Sequence, residues 1–294
     1  MKPYKPKEVK LGAYPEDWIA EIKYDGERNL LIIKDGKATI KRHEGRIKTE
    51  FYPEIIQYVE TKQLPDMVLD GEICILETHQ KANFSAIQSR VTLQDDFKRK
   101  LLMKQHQVKF VAFDVIEYNN EDLREKPFGE RRKILEGLML TPITSFDNSE
   151  LLYTQTCDGQ TATNLWKDVK DKDLEGLVIK NPHVPYDWVK VKNWDEDDFK
   201  IVGFGKLTPE AKARGWLVST LTLEDTEGRH IDKGMTCDCK YINYPNNDTE
   251  EAKRFVEKLI GKTAIVKYMK MKDSNGNYQA PRFPSLVKIR EVEV

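Results

Sequence analysis

Cysteine is scarce in this sequence: there are four, at positions 74, 157, 237 and 239. Their spacing yields one C-x-C and no C-x-x-C pair, so neither a zinc site nor a disulfide framework is expected. The expectation is a reduced, cytoplasmic protein. No apolar run approaches the ~18 residues of a membrane-spanning helix. The opening MKPYKPKEVKLGAYPEDW is basic, but no apolar run follows it, so a secretory signal is not expected. An excess of one charge is missing too. The 48 Lys and Arg face 49 Asp and Glu, a net charge of −1. No global field marks a nucleic-acid binder, although a local basic groove fits within that balance. Internal repeats and low-complexity segments are also absent.

The 294 residues, 39% of them hydrophobic, are ample for two domains. Strand-like runs cover 29–34 and 37–42, joined by Asp35-Gly36, a hairpin signal. Others cover 68–76, 108–118, 175–180, 187–194 and 199–204. Apolar residues recur at helical spacing over 51–62, 128–140 and 161–169. Helices interleaved with antiparallel strands read as an α+β fold. The acidic run Asp195-Glu196-Asp197-Asp198 reads as a linker, dividing the chain into domains 1–195 and 196–294. The second part shows short strands and turn signals at 226–228, 244–247 and 273–277. One helix is expected at 249–259, capped by Thr249. A small barrel suits this pattern, with an OB-fold β-barrel preferred.

Several motifs carry chemistry. Gly203-Phe204-Gly205-Lys206-Leu207-Thr208 contains a fragment of a phosphate loop but lacks G-x-x-x-x-G-K-[ST] spacing, so it reads as a strand end. Lys23-Tyr24-Asp25-Gly26, followed by Arg28, is by itself a strand running into a turn. A lysine becomes a nucleophile only where its surroundings favour the free amine, through nearby cations or a metal. Arg28, Lys190 and Lys192 are candidates for those cations. The rest of the chain strengthens that reading. Glu72 lies inside the apolar run Val68-Leu69-Asp70-Gly71-Glu72-Ile73, and Glu175 heads another. A carboxylate in such a place requires exposure, a partner or a metal. Lys190 and Lys192 alternate with Val189 and Val191, so both share a strand face with Trp188. Phe113 supplies a ring within a buried run. Together these make a nucleophile, two metal-binding acids, paired cations for phosphates and a ring for a base, as nucleotidyl transfer requires.

In order and spacing these motifs resemble the ATP-dependent DNA ligases of the covalent nucleotidyltransferase superfamily. The layout is similar to the small two-domain ligases of bacteriophages and bacteria. The resemblance implies an ATP-grasp-like nucleotidyltransferase (adenylation) domain followed by an OB-fold domain. It implies that Lys23 becomes adenylylated and that Glu21, beside Ile22, reads the adenine amino group. Arg28 would face the sugar or phosphate, and Arg42, with Gly45, the nucleotide or the nick. Glu72 would lie near the ribose and the metal, and Phe113 would stack on adenine. Glu175 would hold the metal, and Lys190 and Lys192 the phosphate. Implied cofactors are ATP and Mg²⁺, or Mn²⁺ in its place. The implied partner is nicked double-stranded DNA, bound by a monomer. Arg131 and Arg132, in Glu130-Arg131-Arg132, resemble an auxiliary arginine motif and are DNA-contact candidates. Lys267, Lys270, Lys272, Arg282 and Arg290 join them. The family's closing R-x-D-K is not matched, because the chain ends VKIREVEV. An mRNA guanylyltransferase, an RNA ligase and a non-catalytic OB-fold nucleic-acid-binding protein are the alternatives.

Overall fold

The computed structural model describes residues 4–92, 96–138, 140–159, 161–205, 209, 220–225, 228, 230–233, 250, 254, 257–270 and 282–290. The chain divides into two compact units, Met1–Asn193 and Trp194–Val294. The first holds two sheets. One runs in the order β1 (Lys7–Glu8), β12 (Trp188–Lys192), β11 (Gly176–Lys180), β2 (Ile19–Ile22), β10 (Thr156–Asp158). The other runs β4 (Lys37–Arg42), β3 (Glu27–Lys34), β5 (Met67–Cys74), β6 (Lys109–Tyr118), β9 (Leu151–Tyr153), β8 (Thr141–Pro142), with β7 (Glu121–Asp122) paired to β6. Pairing is antiparallel except for β1 with β12, β6 with β9 and β8 with β9.

Two-residue alternation gives the second sheet two different faces. Leu69 and Ile73 on β5, with Phe110 and Ala112 on β6, join a large apolar cluster. That cluster includes Ile55 and Val59 of α1 (Pro53–Lys62), Ile87 of α2 (Phe84–Thr92) and Leu135 of α4 (Phe128–Gly137). A further helix, α3 (Asp96–Gln105), precedes β6. Helix α1 starts at Pro53, where a missing N–H costs nothing, and stops at Gln63 in the left-handed region. The intervening residues of β5 and β6, Cys74 and Val111, join Ala20, Ile22, Leu177 and Ile179 of the first sheet. Ala162 and Val169 of α5 (Ala162–Asp171) complete this second cluster. The two sheets therefore pack through one face each, and Asp70 and Glu72 share the β5 side that turns toward that layer.

The second unit contains an antiparallel five-stranded sheet in the order β15 (His230–Lys233), β14 (Leu221–Glu224), β13 (Asp195–Phe204), β16 (Thr263–Met269), β17 (Arg282–Ile289). Here one expectation is corrected. The acidic run 195–198 is not a linker but the start of β13, in register with 265–268 of β16. Its acids are held across the sheet: the Tyr268 hydroxyl donates to Asp197, Lys270 approaches Asp195 at 3.7 Å and Arg290 approaches Asp198 at 3.1 Å. Cross-strand pairs of this kind offset the poor strand propensity of aspartate.

The expected strands of the first unit occur within one or two residues, and Ile19–Ile22 is the strand that runs into the turn after Lys23; Lys7–Glu8, Glu121–Asp122, Thr141–Pro142, Leu151–Tyr153 and Thr156–Asp158 were not expected. Several expectations lie outside the described residues. These are the Thr249 cap and most of the 249–259 helix, the turns at 226–227, 244–247 and 273–277, Cys237 and Cys239, Lys272, Lys206-Leu207-Thr208 and the last four residues.

Candidate nucleotide site

Strand β2 delivers Lys23. Its last residues pair with β11, Glu21 opposite Val178 and Ile22 opposite Leu177. The Lys23 N–H then donates to the Gly176 carbonyl at 2.9 Å, which extends the ladder by one residue. Tyr24 turns into the core and its hydroxyl donates to the His79 carbonyl at 2.8 Å. Gly26 has no alternative: a Cβ there would lie 2.2 Å from the Ile73 carbonyl oxygen. Gly176, with φ +149°, is equally constrained, since a Cβ would lie 2.0 Å from the Val191 oxygen. It presents Glu175 at the head of β11. The outcome is that the Lys23 amine donates to Glu175 Oε2 at 2.6 Å, and Lys192 approaches Glu175 Oε1 at 3.9 Å.

The second sheet supplies the opposite wall. Arg28 on β3 lies across from Glu72 on β5. Its guanidinium grips Asp70 through two bonds of 3.0 and 2.7 Å and sits 5.1 Å over the Phe113 ring. At the base, the fully buried Lys180 donates to Glu21 at 2.8 Å and to the Phe113 carbonyl at 2.8 Å. The same amine lies 4.4 Å over the rings of Trp188 and Phe128. These residues enclose a cavity of about 250 Å³, lined by Glu21, Ile22, Lys23, Arg28, Glu72, Phe113, Lys180, Trp188 and Lys190, with Lys5 at one side. Burial and the neighbouring Lys192 hold the Lys190 amine below the usual lysine range.

The Glu72 carboxyl is pushed up to about 8, chiefly by burial, against the pull of Lys23. A carboxyl whose folded pKa exceeds its unfolded one adds stability below the unfolded pKa and loses it as pH rises through the folded one. The metal-free protein should therefore lose stability between about pH 4.5 and 8 through this group. Because Glu72 is half-buried, the slope should be a fraction of the ~1.4 kcal/mol per pH unit ceiling. Urea melts across that range in chelator should show it, and Glu72→Gln should flatten it. An unchanged slope in the variant would remove the assignment.

Of the residues singled out from sequence, Glu21, Ile22, Lys23, Arg28, Glu72, Phe113 and Lys190 line one cavity; Glu175 adjoins it through Lys23, and Lys192 through Glu175. Arg42 is not among its lining residues. It lies on β4, 3.2 Å from Glu27 and 2.8 Å from Glu44. Arg131 and Arg132 are corrected as DNA contacts, because both are buried inside the first unit. Arg131 makes a two-bond pair with Asp114 at 2.8 and 2.9 Å and lies 4.5 Å over the Tyr186 ring. Arg132 donates to Thr154 through its side-chain and main-chain oxygens, and approaches Glu21 at 3.5 Å. In the second unit, Lys267 lies 4.7 Å over the Trp194 ring, Lys270 and Arg290 pair with acids of β13, and Arg282 lies 4.5 Å over the Phe283 ring. Sequence reasoning passed over Lys180 and Asp70. Both had a signal of the kind that flagged Glu72: a charge within an apolar strand.

The family description "ATP dependent DNA ligase domain" matches residues 2–195. DNA ligase C of Mycobacterium tuberculosis is 26% identical over 231 residues, covering 76% of this chain and 64% of that protein. The SPbeta prophage-derived DNA ligase-like protein LigB of Bacillus subtilis is 30% identical over 200 residues, 65% of this chain and 67% of its own length. The chain thus spans about two thirds of these relatives. A solved structure of a Lig E DNA ligase shares the fold with a TM-score of 0.62 at 18% identity, over 98% of this chain and 100% of that one. With residues 2–195 matched throughout, and with that stretch holding every residue of the cavity, the chain belongs to the ATP-dependent DNA ligase family.

Proposed function

We propose that this protein is an ATP-dependent DNA ligase that seals nicks between a 5′-phosphate and a 3′-hydroxyl in duplex DNA through a lysyl-AMP intermediate. The observation that carries the reading is the Lys23 amine, held 2.6 Å from Glu175 at a cavity that also offers a ring, a half-buried acid and a cation-rich wall. In the first step the Lys23 nitrogen attacks the α-phosphorus of ATP. The N–P bond forms as the bond to pyrophosphate breaks, and Glu175 is placed to receive the ammonium proton. A phosphate oxygen of the DNA 5′ end next displaces Lys23 from the AMP phosphorus. The 3′-hydroxyl then attacks the activated 5′-phosphorus and releases AMP. Each step is a displacement at phosphorus, so positioning and charge neutralisation dominate.

Glu21 and Phe113 are assigned to the adenine, Arg28 to the ribose or α-phosphate, and Lys190 and Lys192 to the phosphates. The donor set fits a hard divalent cation: Glu72 and Glu175 offer carboxylate oxygens, and phosphate oxygens and water would complete the shell. Mg²⁺ or Mn²⁺ bound there supplies charge neutralisation.

Residues 1–195 are assigned as the adenylation domain and 196–294 as an OB-fold domain, in a cytoplasmic monomer; the five antiparallel strands β13 to β17 support the second assignment. Arg42, Lys267, Lys270, Lys272, Arg282 and Arg290 are assigned to the DNA backbone. Such a grip follows shape and phosphate, so it weakens as salt rises. The test is incubation with α-labelled ATP or GTP, a denaturing gel, and then a chase. An adduct with ATP alone, discharged by nicked duplex DNA, is expected. An adduct with GTP would overturn the reading in favour of capping, and discharge by RNA ends in favour of RNA ligation. The absence of any adduct would leave only a binding protein.

A further inference from the structure

One wall of the cavity comes from outside the two facing sheet surfaces. Residues 4–8 run beside β12 as a strap, anchored at both ends. At one end, β1 pairs Lys7 with Val189 and Glu8 with Lys190, and the Val9 N–H donates to the Lys190 carbonyl at 3.0 Å. At the other, the Tyr4 ring stacks on Tyr186 at 5.2 Å and meets the edge of Trp188 at 5.6 Å. Between these anchors lie Lys5 and Pro6, and both line the cavity. The strap is held by main-chain bonds and aromatic contact, so Lys5 is carried at a set place with its side chain in solvent.

The charges around the cavity separate into committed and uncommitted cations. Lys180 is bound by Glu21, Arg28 by Asp70, and Lys23 by Glu175. Lys5 has no ion pair or hydrogen bond among the described residues. Lys190 lines the same cavity, beside the strap, and feels Lys192 and Lys23 as like charges and Glu8 and Glu175 as opposite ones, its amine making no ion pair or hydrogen bond among the described residues. Lys5 on the strap and Lys190 on the strand beside it, in a cavity whose other lining cations are already matched, favour an extended polyanion rather than a single phosphate. The reacting α-phosphate must lie at Lys23. The rest of a triphosphate then extends away from Lys23, and Lys5 lines the same cavity with its side chain exposed.

We infer that Lys5 binds the β- and γ-phosphates of the nucleotide, the part that departs as pyrophosphate, and so acts in the first step alone. This rests on the nucleotide-transfer reading and adds to it a residue from outside the recognised motifs. Neither transfer of AMP to DNA nor closure of the nick involves pyrophosphate, so Lys5 has no part in them.

The test measures binding to the non-adenylylated protein by calorimetry, using an ATP analogue with a methylene bridge between the α- and β-phosphorus, and AMP. Lys5→Ala should weaken the analogue about tenfold, the effect of losing one charge-assisted contact at an exposed site, and leave AMP unchanged. Lys5→Arg should retain the analogue. The rate of sealing a pre-adenylylated nick should be the same in all three proteins. Unchanged analogue binding in Lys5→Ala overturns the proposal and makes Lys5 a solvated strap residue. Equal weakening of analogue and AMP also overturns it, since that reports a damaged wall. If the unsubstituted protein binds neither nucleotide and forms no adduct, the parent reading fails and this one with it. An adduct with an insensitive Lys5→Ala removes only this one.

Discussion

A Lys23→Ala protein will take up no label from ATP labelled at the α-phosphate, a loss on the order of 10⁵-fold or more, the advantage that a held nucleophile has over one in solution. No neighbouring amine can substitute. Lys180 is fully buried beneath Trp188 and Phe128 and donates both to Glu21 and to the Phe113 carbonyl. Lys190 and Lys192 project from β12, whereas Lys23 is set by its own main-chain bond to Gly176 beyond the end of β2. The variant should still fold, because Lys23 is partly exposed and its pair with Glu175 lies at the cavity rather than in either apolar cluster. It should also still close a nick supplied already adenylylated, since that step makes no bond to Lys23. A labelled Lys23→Ala adduct would sink the assignment. Failure on the pre-adenylylated nick, with a normal melt, would show that Lys23 does more than carry AMP.

The parts of the site legible in the sequence are those where one residue contradicts its immediate neighbours. Glu72 within an apolar strand and the alternating lysines of β12 are such contradictions, and local pattern suffices to find them. Lys180 and Asp70 contradict their neighbours equally, but each has its partner on another strand, 159 and 42 positions away in sequence. What they hold was therefore invisible, and their own roles with it. Lys5 gave no signal, because a lysine in a basic, proline-containing opening looks solvated until β1 is seen to pair with β12.

The misreadings share a cause. Asp195-Glu196-Asp197-Asp198 looks like a linker by composition, yet it becomes a strand because Tyr268 of β16, Lys270 just after β16 and Arg290 just after β17 meet its acids across the sheet. Cross-strand pairing is non-local and overrides propensity. Arg131 and Arg132 look like surface cations on a charged helix. One turns instead to Asp114 on β6 and the other to Thr154 and Glu21, so an arginine pair taken for a DNA contact ties α4 to the floor of the nucleotide cavity.

That tie carries the largest expected effect on stability. Arg131 and Asp114 are both wholly buried, with two bonds between them, and Arg131 also donates to the Lys126 and Pro185 carbonyls at 2.6 and 3.0 Å. Burial already pushes the Asp114 carboxyl up, and Arg131 is the main opposing influence. Arg131→Ala strands that carboxylate, at a cost of about 3–5 kcal/mol, or a fall in Tm of roughly 10 °C for a unit of this size. The sign with pH also follows. With Arg131 gone, folded Asp114 retains its proton to higher pH than unfolded Asp114, so the variant's deficit should widen as pH rises above the ordinary aspartate value of 3.8. Replacing both partners by apolar residues, Arg131→Met with Asp114→Leu, should recover most of the loss, because no unpaired charge remains. Urea melts of the two single variants and the double variant form the cycle. A single-variant loss below about 1 kcal/mol, the range of exposed pairs, would mean that water reaches the site. Recovery in the double variant need not restore adduct formation, because the Arg131 guanidinium lies over Tyr186, whose ring contacts Tyr4 and Trp188 at the cavity wall. Stability regained without activity would therefore place Arg131 among the residues that position the wall for nucleotide.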